Sequence, residues 1–77
     1  MLNIQFDTQP EKILKKVDKV LRERLVQKIE VLRIDPIHHD AKRIVNRKEK
    51  TFRVSVGNYR ILYVVYFENN TILISKI

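Results

Sequence analysis

The sequence predicts an α+β fold in which an N-terminal strand and two helices, a helical hairpin, pack on a small twisted antiparallel sheet. Three observations support this prediction. Apolar and polar residues alternate at the N-terminus, apolar residues recur at helical spacing over positions 11–34, and alternation returns from Thr51 onward. The 77 residues allow one domain, 1–77, whose core is thin because a chain this short buries only about 60% of its unfolded surface.

The first element is a short strand. Leu2, Ile4 and Phe6 alternate with polar residues, which is the pattern of a half-buried strand. Thr8 then offers a hydroxyl that can cap a helix, and Pro10 suits a first helical turn. We therefore expect the strand to end near Asp7 and Thr8 to cap the first helix.

The next element is helical but too long to be straight. A single apolar stripe runs through Ile13, Leu14, Val17, Val20, Leu21, Leu25, Ile29 and Leu32. A straight helix over residues 11–34 would be about 36 Å long, whereas a globule of this size has a radius of gyration of about 11–12 Å. We therefore predict two helices, or one sharply bent helix, with the break near Asp18, since Asp favours caps. Asp35-Pro36 ends the second helix.

The C-terminal part of the sequence predicts a β-hairpin whose strand register follows from its turn. Residues 41–45 are ambiguous, but Gly57-Asn58 between alternating segments is typical of a two-residue type II′ turn. In that register Ser55 faces Arg60, and Arg53 lies on the same face of the sheet. The opposite face is the predicted core, formed by Phe52, Val54, Val56, Tyr59, Ile61 and Tyr63.

A second tight turn is predicted at Asn69-Asn70, followed by a last strand over 71–77. That turn pairs three apolar residues with residues of the last strand and places them on the face of Arg53: Tyr66 with Leu73, Val64 with Ser75, and Leu62 with Ile77. An apolar patch beside charge is typical of a binding surface. The alternative is that a helix end or residues 42–50 cover it.

The charge balance favours an anionic partner. The chain carries 16 Lys and Arg against 9 Asp and Glu, a net charge of +7. A field of this density on a small body favours nucleic acid or an acidic protein. The candidate RNA-binding residues precede the sheet: Lys42, Arg43, Arg47, Lys48 and Lys50.

Other chemistry is scarce. The absence of Cys excludes disulfides and thiol nucleophiles. The neighbouring residues His38-His39-Asp40 provide no fourth metal ligand, and no Gly-rich phosphate loop is present, so we expect no metal and no cofactor. The longest apolar run, Ile61 to Phe67, falls far short of the roughly 20 residues of a membrane helix. We expect a cytoplasmic protein without a membrane partner.

The segment from Thr51 to Tyr63 resembles the signature of RelE-type toxins, roughly aromatic-Arg-x-Arg/x-x-Gly-Asp-Tyr-Arg-apolar-x-Tyr. Three upstream motifs resemble the same family in the same order: Leu14-Lys15-Lys16-Val17-Asp18-Lys19, Leu32-x-x-Asp35-Pro36 and Lys42-Arg43-Ile44. Each motif alone is weak, but the four in series are fairly specific and span nearly the whole chain.

The resemblance implies the toxin of a type II toxin–antitoxin system, held in a heteromeric complex by a RelB-like antitoxin. RelE toxins cut mRNA in the ribosomal decoding site without a metal, with the RNA 2′-hydroxyl as nucleophile. By this resemblance Arg60 stabilises the transition state, and Arg53 occupies a second basic position. Ser55 stands where some members carry Lys or Arg, so the general base is open, with Arg47, Lys48 or Lys50 as stand-ins.

Two alternatives remain at this point. ParE-type toxins share the fold and inhibit gyrase, although such chains usually lack a basic cluster on the sheet. RelE toxins also continue past the last strand with an Arg- and Tyr-containing segment, whereas this sequence stops at Ile77. The second alternative is therefore a truncated form that binds antitoxin and cleaves weakly.

Overall fold

The computed structural model describes residues 1–45 and 49–77. Its elements, in chain order, are β1 (Asn3–Phe6), α1 (Thr8–Lys16), α2 (Lys19–Ile34), β2 (Lys42–Arg43), β3 (Thr51–Val56), β4 (Tyr59–Tyr66) and β5 (Thr71–Lys76), with a 3₁₀ turn, Phe67–Asn69, between the last two strands. The Cα radius of gyration is 11.7 Å, within the predicted range. Neither described helix is both long and apolar enough to cross a membrane.

The sheet has the strand order β1-β5-β4-β3-β2, so β4 is central. The predicted α+β class is confirmed, but the sheet is mixed, because β1 pairs with β5 in parallel while the other pairs are antiparallel. The side chain of Gln9 reinforces this edge by donating to the backbone oxygen of Ile77 and accepting from its N–H, at 2.7 and 2.8 Å. Local alternation predicts a strand at positions 2–6 but does not specify its partner or its direction.

Aspartates cap both helices. Asp18 accepts a hydrogen bond of 2.8 Å from the N–H of Leu21 and separates the two helices at the predicted point. α2 ends before Asp35, also as predicted. At α1 the predicted cap Thr8 is wrong, since Asp7 caps the helix and accepts from the Thr8 N–H at 2.8 Å. A carboxylate is favoured there because it meets the positive end of the helix dipole as well as an orphan N–H group.

A half-buried arginine joins the two helices at this corner. The guanidinium of Arg22, on α2, donates to the backbone oxygens of Leu14 and Val17 at 2.7 and 2.9 Å. These carbonyls belong to the last turn and the C-cap of α1, where intrahelical partners run out. Arg22 therefore contributes to the fold rather than to a basic surface.

The core lies between the helices and one face of the sheet. Its α2 residues, Leu25, Ile29 and Leu32, follow the predicted stripe and are fully or almost fully buried. From the sheet it takes the predicted Phe52, Val54, Val56, Ile61 and Tyr63, with Tyr59 half-buried against them. One member of the stripe was wrongly predicted: Val20 is 70% exposed, because it lies about 100° round the helix from Leu21, which packs on the core.

The β3–β4 hairpin has the predicted register. Val56 pairs with Tyr59 and Ser55 with Arg60, and Gly57 adopts a φ of +58°, which glycine tolerates without strain. The loop that joins β4 to β5 is longer than the predicted two-residue turn. The 3₁₀ turn and Asn70, at a φ of +51°, join the strands, so Tyr66 pairs with Thr71 and Val64 with Leu73. A bulge at Leu62/Tyr63 then pairs Leu62 with Lys76 instead of Ile77.

Tyr63 fixes the loop after α2, and its removal gives a testable prediction. The ring is fully buried and its hydroxyl donates to the backbone oxygen of Pro36 at 2.8 Å. Tyr63→Phe keeps the ring but leaves that carbonyl without its partner, so we expect a loss of about 1–2 kcal/mol in unfolding free energy. Urea denaturation of the two proteins at neutral pH measures the difference.

The same hydroxyl predicts a pH dependence. Burial, together with the charge of Asp35, raises the pKa of Tyr63 from 10.0 to about 12. The folded state therefore holds this proton more tightly, and its contribution to stability is complete below pH 10 and is lost as the pH rises towards 12. In Tyr63→Phe this loss between pH 10 and 12 should shrink. An unchanged alkaline profile would contradict the assignment.

Candidate functional site

The hairpin register brings the two predicted catalytic arginines to one cleft. Arg53 on β3 and Arg60 on β4 line a small cavity of about 90 Å³, together with Lys42 of β2. Its other lining residues are Asp40, Val54 and Ser55. The cleft lies on the face of the sheet opposite the helices, and three cationic side chains from three neighbouring strands converge on it.

Strand pairing determines how these cations face one another. Lys42 lies directly opposite Arg53 across the β2–β3 pair. Ser55 lies opposite Arg60 across the β3–β4 pair, and it is exposed and small enough to leave room beside the guanidinium. Like charges placed directly opposite destabilise a sheet, so this arrangement gains stability when an anion enters. A phosphate accepts hydrogen bonds from guanidinium forks and from an ammonium group.

Internal ion pairs do not neutralise the three cations. Within residues 1–45 and 49–77, no carboxylate oxygen lies within 4.0 Å of a cationic nitrogen of Lys42, Arg53 or Arg60. The carboxylate of Glu49 accepts a hydrogen bond from the hydroxyl of Tyr66. That bond raises the pKa of Tyr66. The positive charge of the cleft is therefore available to a ligand.

The other predicted RNA-binding residues do not join the cleft. Arg43 is exposed and pairs with Phe52, so it belongs to the other face of the sheet at its β2 edge. Lys50 lies over the ring of Phe67, with its Nζ 5.1 Å from the ring centroid, near the β4–β5 turn. Arg47 and Lys48 lie outside the described residues. An RNA-binding role for these four stays a prediction.

Three residues near the cleft were missed by the sequence analysis. Asp40 lines the cleft itself, and Lys28 of α2 approaches its carboxylate at 3.5 Å. Lys28 and Arg24 also line a neighbouring cavity of about 350 Å³ against Ser55 and Gly57. The i, i+4 spacing of Arg24 and Lys28 shows that they share one face of a helix, but only the packing of α2 shows that this face borders the sheet.

A groove lined by both apolar and polar residues adjoins the cationic cleft on the same face. It has a volume of about 250 Å³ and is lined by Glu49, Thr51, Leu62, Val64, Tyr66, Leu73 and Ser75. Thr51 and Val64 are buried within it, and the hydrogen bond from Tyr66 to Glu49 closes part of one side. Glu49, in the segment before β3, therefore covers part of this surface, as the alternative interpretation predicts, and a binding role for the remaining groove stays a prediction.

The histidines next to the cleft form a compact group with Asp40. One ligand atom from each of His38, His39 and Asp40 lies within 4.8 Å of the others. Two imidazoles and one carboxylate can ligate zinc, although a structural zinc site usually has four protein ligands. The prediction that no metal takes part stays a prediction.

Comparison with known proteins identifies the architecture. No family model matches the sequence, and no curated protein matches it. Among solved structures, the archaeal RelE–RelB complex from Pyrococcus horikoshii OT3 is similar with a TM-score of 0.86 and 22% identity, over 97% of this chain and 90% of that one. The chain has the RelE fold.

Two Escherichia coli structures agree with this assignment. The intact RelBE toxin–antitoxin complex matches with a TM-score of 0.84 and 19% identity, over 99% of this chain and 93% of that one. The isolated RelE toxin matches with the same score and identity, over 81% of its own length. The RelE fold predicted from the four sequence motifs is confirmed.

Proposed function

We propose that this protein is the toxin of a type II toxin–antitoxin module and that it cleaves mRNA on the ribosome. The main support for the proposal is the cleft of Lys42, Arg53 and Arg60. Within residues 1–45 and 49–77 no carboxylate forms an ion pair with these three cations, and the chain has the RelE fold. Similarity of fold alone supports the toxin class. The cleft supports RNA as the target.

The dimensions of the cleft favour one phosphodiester over a small metabolite. Its volume of about 90 Å³ is well below the 300–1,000 Å³ or so of pockets that enclose drug-sized ligands. An extended RNA strand can lay a single phosphate into such a site while its bases remain outside. Preorganised guanidinium groups then stabilise the charge that develops on a pentacoordinate phosphate, without need of a metal.

The proposed partner is a RelB-like antitoxin that forms a heteromeric complex with this chain. The net charge of +7 favours an acidic or amphipathic segment, which becomes ordered as it binds. We expect this complex to weaken as ionic strength rises. Binding that is independent of salt and leaves Arg53 and Arg60 exposed would contradict this part of the proposal.

The decisive experiment compares two targets. Purified protein is added to translating ribosomes with a defined mRNA, and cleavage sites are mapped by primer extension; in parallel, DNA supercoiling by gyrase is measured. We expect mRNA cleavage that needs ribosomes, and no effect on gyrase. A zinc-selective chelator that leaves Mg²⁺ on the ribosome should not reduce cleavage. Gyrase inhibition with intact mRNA would instead favour a ParE-type toxin.

RNA binding should depend steeply on salt. Three cations that displace counterions from a single strand predict a slope of about −2 in a plot of log affinity against log salt concentration. Lys42→Gln should reduce the magnitude of this slope by about 0.7. Fluorescence anisotropy with a 2′-O-methyl oligonucleotide, which cannot be cleaved through its 2′-oxygen, measures both slopes.

Lys12→Gln is the matched control for this measurement. Lys12 is exposed on α1, which packs on the opposite face of the sheet, so its loss should leave the slope unchanged. A flat salt response of the parent protein would count against RNA binding. Equal effects of the two variants would show that only net charge matters and that the cleft does not.

A further inference from the structure

The cationic cleft contains one carboxylate among its described lining residues, that of Asp40. A negative charge beside a phosphate site weakens phosphate binding, so its position there needs an explanation. Asp40 is not the counter-ion of the cleft, since its oxygens lie more than 4.0 Å from the cationic nitrogens of Lys42, Arg53 and Arg60. Its ionic contacts are instead with Lys28 of α2 and with His38 and His39 of the preceding loop.

Those contacts position the carboxylate of Asp40 but leave some of its oxygen lone pairs free to accept hydrogen bonds. Asp40 Oδ2 lies 3.5 Å from both Lys28 Nζ and His38 Nδ1, and Oδ1 lies 3.3 Å from His39 Nε2. The backbone N–H of Asp40 also donates to His38 Nδ1 at 3.2 Å. The contacts to the carboxylate are long for charged hydrogen bonds, and the side chain is 51% exposed. An ionised carboxylate with about four lone-pair sites keeps acceptor capacity for a substrate hydroxyl.

Cleavage of RNA through its 2′-hydroxyl requires a group that accepts a proton. Lysine and arginine side chains are ordinarily protonated at neutral pH, and in that form they have no lone pair that can accept a proton. This excludes Lys42, Arg53 and Arg60 as the base. A serine hydroxyl, such as that of Ser55, is a poor base. Carboxylates are ionised at neutral pH and can accept the proton. By this argument the proton acceptor is Asp40.

We propose that Asp40 is the general base of this cleft, an inference that rests on the proposed mRNA cleavage. An oxygen of Asp40 takes the 2′-hydroxyl proton while the 2′-oxygen bonds to phosphorus. The bond from phosphorus to the 5′-oxygen breaks, and the 5′-oxygen takes a proton from water. The products are a 2′,3′-cyclic phosphate and a 5′-hydroxyl end, and Asp40 returns its proton to solvent.

Asp40→Asn tests this role with little change of shape. The amide cannot act as a base, so we expect mRNA cleavage to fall by about 10²-fold or more. Affinity for a 2′-O-methyl oligonucleotide should stay equal or increase, since one negative charge leaves the site. Glu68→Gln is the matched control, because Glu68 is exposed on the turn after β4 and makes no ion pair among the described residues. It should retain the parent rate.

His38→Gln and His39→Gln separate this role from one in which Asp40 only orients an imidazole base. Either variant should reduce cleavage less than Asp40→Asn. A loss in one of them equal to that of Asp40→Asn would assign the base to histidine and overturn the inference. Cleavage by Asp40→Asn at the parent rate would overturn it too and leave the proposed function standing. Failure of the parent protein to cleave would overturn both.

Discussion

Arg60→Ala is expected to lower the rate of mRNA cleavage on ribosomes by about 10²-fold or more, as loss of one preorganised charge donor does in other enzymes. Arg60 lies three residues after Gly57, so the two-residue turn fixes its backbone. Its guanidinium lines the cleft with that of Arg53, and the small side chain of Ser55 lies opposite it. Two guanidinium groups can therefore bracket one phosphodiester.

The fold should tolerate this change. Arg60 is exposed, and exposed substitutions usually alter the unfolding free energy by no more than about 0.5 kcal/mol. Arg60→Lys keeps the charge but loses the planar fork, so its rate should fall between those of the parent and the alanine variant. Arg24→Ala is the matched control, because it removes an exposed guanidinium that lies against Gly57 outside the cleft. A melting temperature that drops while the folded fraction cleaves normally would assign Arg60 a structural role.

Ile61→Ala is expected to cost about 2–5 kcal/mol of unfolding free energy, through lost burial and the cavity that remains. Ile61 lies on the central strand and is fully buried between sheet and helices. Domains have a total stability of only about 0.05–0.15 kcal/mol per residue. The Ile61 side chain therefore contributes a large share of the unfolding free energy that a domain of this length can have.

Ile34→Ala is the control for this experiment. Ile34 ends α2 and is 73% exposed, so the identical substitution should change stability by less than about 0.5 kcal/mol. Urea denaturation followed by circular dichroism measures both variants. Similar midpoints for the two would show that the face of β4 that bears Ile61 is not the core.

Local sequence signals predicted the structure correctly wherever a short segment determines its own backbone geometry. The Gly57-Asn58 turn predicts the β3–β4 register and thereby places Arg53 and Arg60 on one face of the sheet. Asp18 marked the break between the helices for a similar reason, because its side chain caps the helix that it starts. Predictions that depended on one turn or one cap were mostly correct.

Features determined by tertiary packing could not be predicted in this way. The parallel pairing of β1 with β5 joins distant segments, and the β4–β5 register depends on a 3₁₀ turn and a bulge that asparagine preference alone does not reveal. Asp40 was missed as a cleft residue because it lies in the loop before β2, and only the tertiary structure brings that loop to Arg53 and Arg60. Charge alone also grouped Arg43 and Lys50 with Lys42, although strand pairing puts Arg43 on the other face of the sheet and Lys50 lies over the ring of Phe67.

The parallel edge also determines when the molecule can fold. Gln9 and Ile77, which exchange two hydrogen bonds at this edge, are 68 positions apart, and β1 pairs along its whole length with β5. Contacts between such distant segments form late, because loop closure must precede them. During synthesis β1 and α1 therefore stay without their partner until Thr71–Lys76 has left the exit tunnel. The sheet is thus completed in one late step, after β5 has been made, rather than strand by strand as each segment emerges.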